Sequence, residues 1–141
     1  MVDPYQAGFF TENPYAAKRT IEGKLAVILR GKLEKRGLEL ISTISRAVLK
    51  NEVHELIVTD QENVGPGSKV DRIAYIGFVE ITVGGVMTVG DTLNCRDKVL
   101  GQVVGFDETH LPNHLNIVLA SSSRSDGVEQ SLQLESDIKC D

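Results

Sequence analysis

The stretch "GFDETHLPNHLNIVL", from Gly105 to Leu119, gathers the side chains best suited to chemistry. Asp107, Glu108, His110, Asn113 and His114 lie within eight residues. Imidazoles exchange protons near neutral pH and bind transition metals, and carboxylates orient them or share the metal. His110 and His114 stand four residues apart, a spacing that on a helix would put both on one face. Pro112 lies between them, and a proline inside a helix removes a hydrogen bond and clashes with the preceding turn. The two imidazoles therefore belong to a turn. Three uses of that turn fit its residues. His110, His114 and Asp107 could hold a divalent transition metal such as zinc. All five side chains could line a polar pocket for a small ligand at a barrel mouth. Or the turn is a structural corner, with Asp107 and Asn113 bonding the backbone, Pro112 fixing φ and a buried His114 closing it.

Other reactive groups give less. His54, between Glu52 and Glu55, opens an apolar run and reads as a solvated charge at a strand edge. Cys95 is followed by Arg96, which would favour a thiolate if the thiol were exposed, but no histidine is near in sequence to act as its base. Gly65-Pro66-Gly67-Ser68-Lys69 lacks the spacing of a phosphate loop. No nucleophile elbow and no dinucleotide fingerprint occurs.

The elements that must position the turn are read from periodicity. Residues 1–17 carry two prolines and four of the chain's seven aromatics, Tyr5, Phe9, Phe10 and Tyr15. An arm of that composition is expected to lie on its own domain or on a neighbouring subunit, which favours a homo-oligomer. Residues 23–33 read as a strand. In Arg36–Glu52, Leu40, Ile41, Ile44 and Val48 fit one helical face, while Leu38 and Leu40, or Ile41, Thr43 and Ser45, allow strand alternation; a helix is the expectation. His54–Asp60, Val70–Val83, residues 99–106 and His114–Ser121 read as strands. Gly65-Pro66-Gly67, Gly84-Gly85 and Gly90-Asp91 mark turns between 54 and 121. Turn signals about every 8–12 residues argue for a sandwich or barrel. Gly77, Gly101 and Gly105 inside strands favour the barrel, whose closure needs sharp bends. The expected fold is mainly β: a small closed or partly closed β-barrel with one helix over residues 18–121, preceded by the arm and followed by a flexible acidic tail over 122–141.

The chain's 141 residues suffice for one domain, and 41% hydrophobic with 25% charged residues is ordinary for a soluble protein. No apolar run approaches the roughly 18 residues of a membrane span, and the N-terminal residues show no secretory pattern. Two cysteines make no disulfide framework, so a cytoplasmic setting is expected. Charge is unevenly spread. Residues 18–50 hold nine Lys/Arg and three Glu (+6), residues 51–120 four Lys/Arg and ten Asp/Glu (−6), and residues 121–141 two Lys/Arg and five Asp/Glu (−3). Such asymmetry serves an anionic partner, the packing of two halves on each other, or head-to-tail subunits. Nucleic acid is not indicated, because the basic half lacks interleaved aromatics and the chain has no Trp.

"RGLELISTISRAVLKNEVHELIVTD", "YIGFVEITVGGVMTVGD" and "GFDETHLPNHLNIVL" together resemble a small prokaryotic domain-of-unknown-function family over residues 18–121. That resemblance implies a fold and no activity. Ile73–Glu80, Gly85–Leu93, Val99–Gly105 and Asn113–Leu119 are also similar, more weakly, to glucitol-type IIA phosphocarriers of the bacterial sugar phosphotransferase system, which are small β-barrels. In that family a histidine on the strand before the first turn accepts the phosphoryl group. The corresponding "AYIGFVEI" has none, so a phosphoryl-accepting role would fall to His110 or His114. The expectation is thus a non-enzymatic small-ligand-binding or assembly module with its pocket at 107–114; the alternative is an enzyme, metal-dependent or phosphoryl-accepting, using His110 and His114.

Overall fold

The computed structural model describes residues 18–141, and the expected N-terminal arm lies outside them. The described residues form twelve strands and no helix: β1 Ile21–Ile28, β2 Lys32–Leu33, β3 Leu38–Glu39, β4 Ser45–Val48, β5 Val53–Thr59, β6 Lys69–Val70, β7 Ile73–Val83, β8 Gly85–Thr88, β9 Thr92–Cys95, β10 Lys98–Asp107, β11 Asn116–Ala120 and β12 Asp137–Cys140. Seven of them pair around a ring in the order β1, β12, β9, β10, β11, β5, β7 and back to β1. Neighbours in the ring run antiparallel except β11 and β5, which are parallel. The short β2 extends the pairing along β7, while β3–β6 and β4–β8 form two separate two-stranded sheets.

Alternation along the strands builds two apolar cores, because successive side chains point to opposite faces. In β5, Leu56 and Val58 join a large core with Leu25, Ile76, Phe106, Ile117 and Leu119. Ile57, between them, faces the other way and packs with Leu38, Leu40, Val70, Ile73 and Val118. The second core is where β3 and β6 lie over the outer wall of the ring. Each fully buried Leu or Ile contributes about 1.5–3 kcal/mol, so both layers matter to stability.

The three glycines expected to bend strands sit where the register shifts: Gly77 opposite Leu56, Gly101 beside Val99, and Gly105 beside Val103. At Gly77 a Cβ would stand 2.0 Å from the Val27 carbonyl oxygen, so β1 approaches β7 more closely than any side chain permits. At Gly105 a Cβ would meet Leu40 at 2.8 Å, which is where the outer layer seats on β10.

Two sequence expectations are corrected. The helix over 36–52 is replaced by β3, β4 and loops. The backbone donors there bond across the chain, Leu40 to Ser68, Ile41 to Phe106, and Ile44 accepts from Val89. Leu38 and Leu40 point into the outer core and Val48 into the inner one, a division that a single helical face cannot serve. The loose acidic tail is also replaced. Residues 137–140 form β12, which lies between β1 and β9 and completes the ring, with Ile138 and Cys140 buried. Asp126 tethers the preceding segment by accepting from the Gly31 and Glu129 amides at 2.9 and 2.8 Å.

Part of the basic stretch is paired within the chain. From the basic stretch, Lys18 pairs with Asp91, Lys24 with Asp137, Lys32 with Glu129 and Arg46 with Glu108. No helix of the described residues is long and apolar enough to cross a membrane.

Candidate functional site

The turn that opened the sequence reading joins β10 to β11 at the end of the ring where the parallel strands β5 and β11 both begin. Its five candidate residues do not share one site. Asp107, 1% exposed, is a structural tie. Its Oδ2 accepts from the Glu39 amide at 2.9 Å, and its Oδ1 accepts from the Thr109 amide at 2.9 Å and the Asn116 side-chain amide at 3.2 Å. Burial alone would push this carboxyl up, but the bonds from Thr109, Glu39 and Asn116 outweigh it and hold the group below the usual carboxylate range. Asp107 thus fastens the turn to β3 and β11.

Asn113 lines a cavity at this end of the ring, and Glu108 touches it only through its ion pair with Arg46. The cavity has a volume of about 410 Å³ and is lined by Arg46, Ala47, Asn51, Glu52, Val53, His54 and the turn residues Leu111, Pro112, Asn113 and Leu115. Glu108 holds the Arg46 guanidinium from the side, with Nη2 at 3.1 Å, while the Arg46 Nε is buried and has no hydrogen-bond partner. Glu52 Oε1 accepts from the Leu49 amide at 2.7 Å, and that bond, with the neighbouring His54, holds its carboxyl below the usual range. A larger groove of about 540 Å³, lined by Arg19, Leu49, Lys50 and Val83 among others, is mostly apolar and gathers no comparable set of polar groups.

His54, expected as a solvated charge, is 7% exposed and lines the cavity. The Leu115 amide donates to its Nδ1 at 3.0 Å, so Nε2 carries the proton, 3.1 Å from Glu52 Oε1. Both ring nitrogens are committed, which makes His54 a fixed part of the wall. The signal was in the sequence: His54, Leu56 and Val58 are two apart, so one face of the strand carries all three inward.

His110 and His114 form a second cluster, with rings 5.0 Å apart. Phe78 meets His114 edge-on at 5.1 Å. Arg36 Nη2 lies 3.4 Å from His110 Nε2, and Arg36 Nε donates to the Tyr75 hydroxyl at 3.0 Å. The carboxylate beside this pair of imidazoles is Glu55, which the sequence places with His54 among solvated strand-edge charges but which is 7% exposed. Its Oε1 is 3.3 Å from His114 Nε2, within ion-pair range but without the alignment of a hydrogen bond. Burial pushes the Glu55 carboxyl up, against the pull of His114, His110 and Arg36. Asn113 Nδ2 stands 2.7 Å from His114 Nδ1 and links this cluster to the cavity.

The metal alternative finds no ligand set here. Among the described residues no three His, Cys, Asp or Glu side chains gather as they would around a metal ion. Asp107 has its oxygens committed to Glu39, Thr109 and Asn116, so the set His110, His114 and Asp107 does not form. Cys95 and Cys140 are free and buried. Burial raises the Cys95 thiol, and burial with Asp91 nearby pushes Cys140 up to about 12, so neither is a ready thiolate.

Fold and site together define a mainly β protein with a seven-strand ring, an outer apolar layer and a polar cavity at one ring end. The family comparison gives it a place: the chain belongs to DUF6917, a family of unknown function, whose model matches residues 15–141. Comparison with curated proteins and with solved structures returned no match.

Proposed function

We propose that this chain is a non-enzymatic binding module whose ring of strands is a small β-barrel, with a small-ligand site at the barrel mouth between Arg46–His54 and Leu111–Leu115. The observation that carries this reading is the cavity of about 410 Å³, whose wall carries the side chains of Arg46, Glu52 and His54 together with apolar residues. Mixed polar and apolar walls, with polar groups few and fixed, are the usual make-up of a small-molecule site. His54, with both nitrogens committed, supports a binding role over proton transfer.

The test is amide chemical-shift mapping against a panel of small carboxylates, amines, alcohols and sugars. Shifts should cluster at Asn51, Val53, Leu111 and Asn113, and should vanish when Ala47→Phe fills the cavity. Shifts centred on Arg36 and His110, unchanged in Ala47→Phe, would move the site to the other side of the turn and overturn this reading.

A further inference from the structure

The geometry points to a ligand class: we propose that the ring-end cavity takes a small zwitterion, a carboxylate and an ammonium group on an apolar stem, as in a free amino acid. This rests on the binding role above and adds the chemistry of what is bound.

Opposite charges line the same small space. Arg46 supplies the positive one, its side chain 33% exposed and its Nη2 beside Glu108 at 3.1 Å. Glu52 supplies the negative one. Its Oε1 already takes the Leu49 amide and faces His54 Nε2, which leaves Oε2 uncommitted among the described residues. Arg46 is close enough to be one of the charges that favour the ionised Glu52. A simple anion entering here would meet Arg46 but also face the Glu52 carboxylate. A simple cation would meet Glu52 but also face the Arg46 guanidinium. A ligand carrying both signs meets both groups and adds no net charge to a partly enclosed site, where unpaired charge is penalised. Val53, Leu111, Pro112 and Leu115 provide apolar wall for the stem. The volume of about 410 Å³ keeps the ligand small.

The experiment is calorimetric titration with three matched probes: L-leucine, 3-methylbutanoate, which lacks the ammonium group, and 3-methylbutylamine, which lacks the carboxylate. Amide shifts are recorded for each. Leucine should bind about tenfold more tightly than either partial probe, the usual weight of one charge-assisted hydrogen bond. Glu52→Gln, which keeps the Oε1 acceptor, should lower leucine to the level of 3-methylbutanoate. Arg46→Met should lower it to the level of the amine, with circular dichroism showing both variants folded. If a partial probe binds as well as leucine and shifts the same amides, the cavity binds but the zwitterion proposal is overturned. If none of the three shifts those amides, the proposal also falls, and the binding role stands or falls on the wider panel above.

Discussion

Asp107 offers the sharpest test of how the turn is built. Asp107→Ala removes the acceptor for the Glu39 amide, the Thr109 amide and the Asn116 side chain at once. A buried donor left without an acceptor costs about 1–3 kcal/mol. Glu39 and Thr109 are exposed residues whose amides can recover water, whereas Asn116 is fully buried. A net loss of about 3 kcal/mol is therefore expected, a large share of a typical stability of about 5–15 kcal/mol. Urea unfolding read by circular dichroism measures it. The acid dependence is a second, independent readout. The folded carboxyl is held below its ordinary value, so its stabilisation is fully present above the unfolded pKa of about 4 and is lost as pH falls through the lower folded value. The gap between wild type and Asp107→Ala should therefore narrow on acidification below about pH 4. A loss under about 1 kcal/mol, or a gap that does not change with pH, would refute the assignment of Asp107 as the tie between the turn, β3 and β11.

Three further outcomes are expected. Gly77→Ala places a Cβ 2.0 Å from the Val27 oxygen and should destabilise the ring by about 3 kcal/mol or more, seen as a lowered Tm; an unchanged Tm would mean that β1 and β7 do not cross there. Ending the chain at Ser136 removes the buried Ile138 and Cys140 and unpairs β1 and β9, for a loss of about 4 kcal/mol; retention of the native melting curve would contradict the role of β12. Iodoacetamide at pH 8 should label neither Cys95 nor Cys140 until denaturant is added, because both thiols are buried and raised; fast labelling of the native protein would contradict their placement.

The sequence signal was strongest where a strand is apolar over most of its length. The strands read at Val70–Val83 and His114–Ser121 are found at Ile73–Val83 and Asn116–Ala120, because apolar residues fill both faces, one toward each core. The bends at Gly77, Gly101 and Gly105 are legible because an interior glycine has few other uses in a strand. The helix over 36–52 was misread because Leu40, Ile41, Ile44 and Val48 fit a helical spacing while serving two cores in the structure. In β12, Asp137–Ile138–Lys139–Cys140 alternates cleanly, but four residues at the end of a polar segment give too little pattern to set against their surroundings. The site divided in the same manner. The turn was found from its composition, but Arg46, Glu52, Glu55 and Arg36 come to it from distant sequence, and only tertiary structure brings them there.

The two seams of the ring set its kinetics. Glu55 pairs with Asn116 across the parallel seam, and Ile21 with Cys140 where the last strand slots in. Neither joint can form from a local hairpin, so the entropy of closing long loops must be overcome before either set of contacts forms. Folding should then run on the millisecond-to-second scale of topologically complex β proteins, and the slow step should be slowed by changes at Ile117 or Val118 more than by changes in the β9–β10 hairpin.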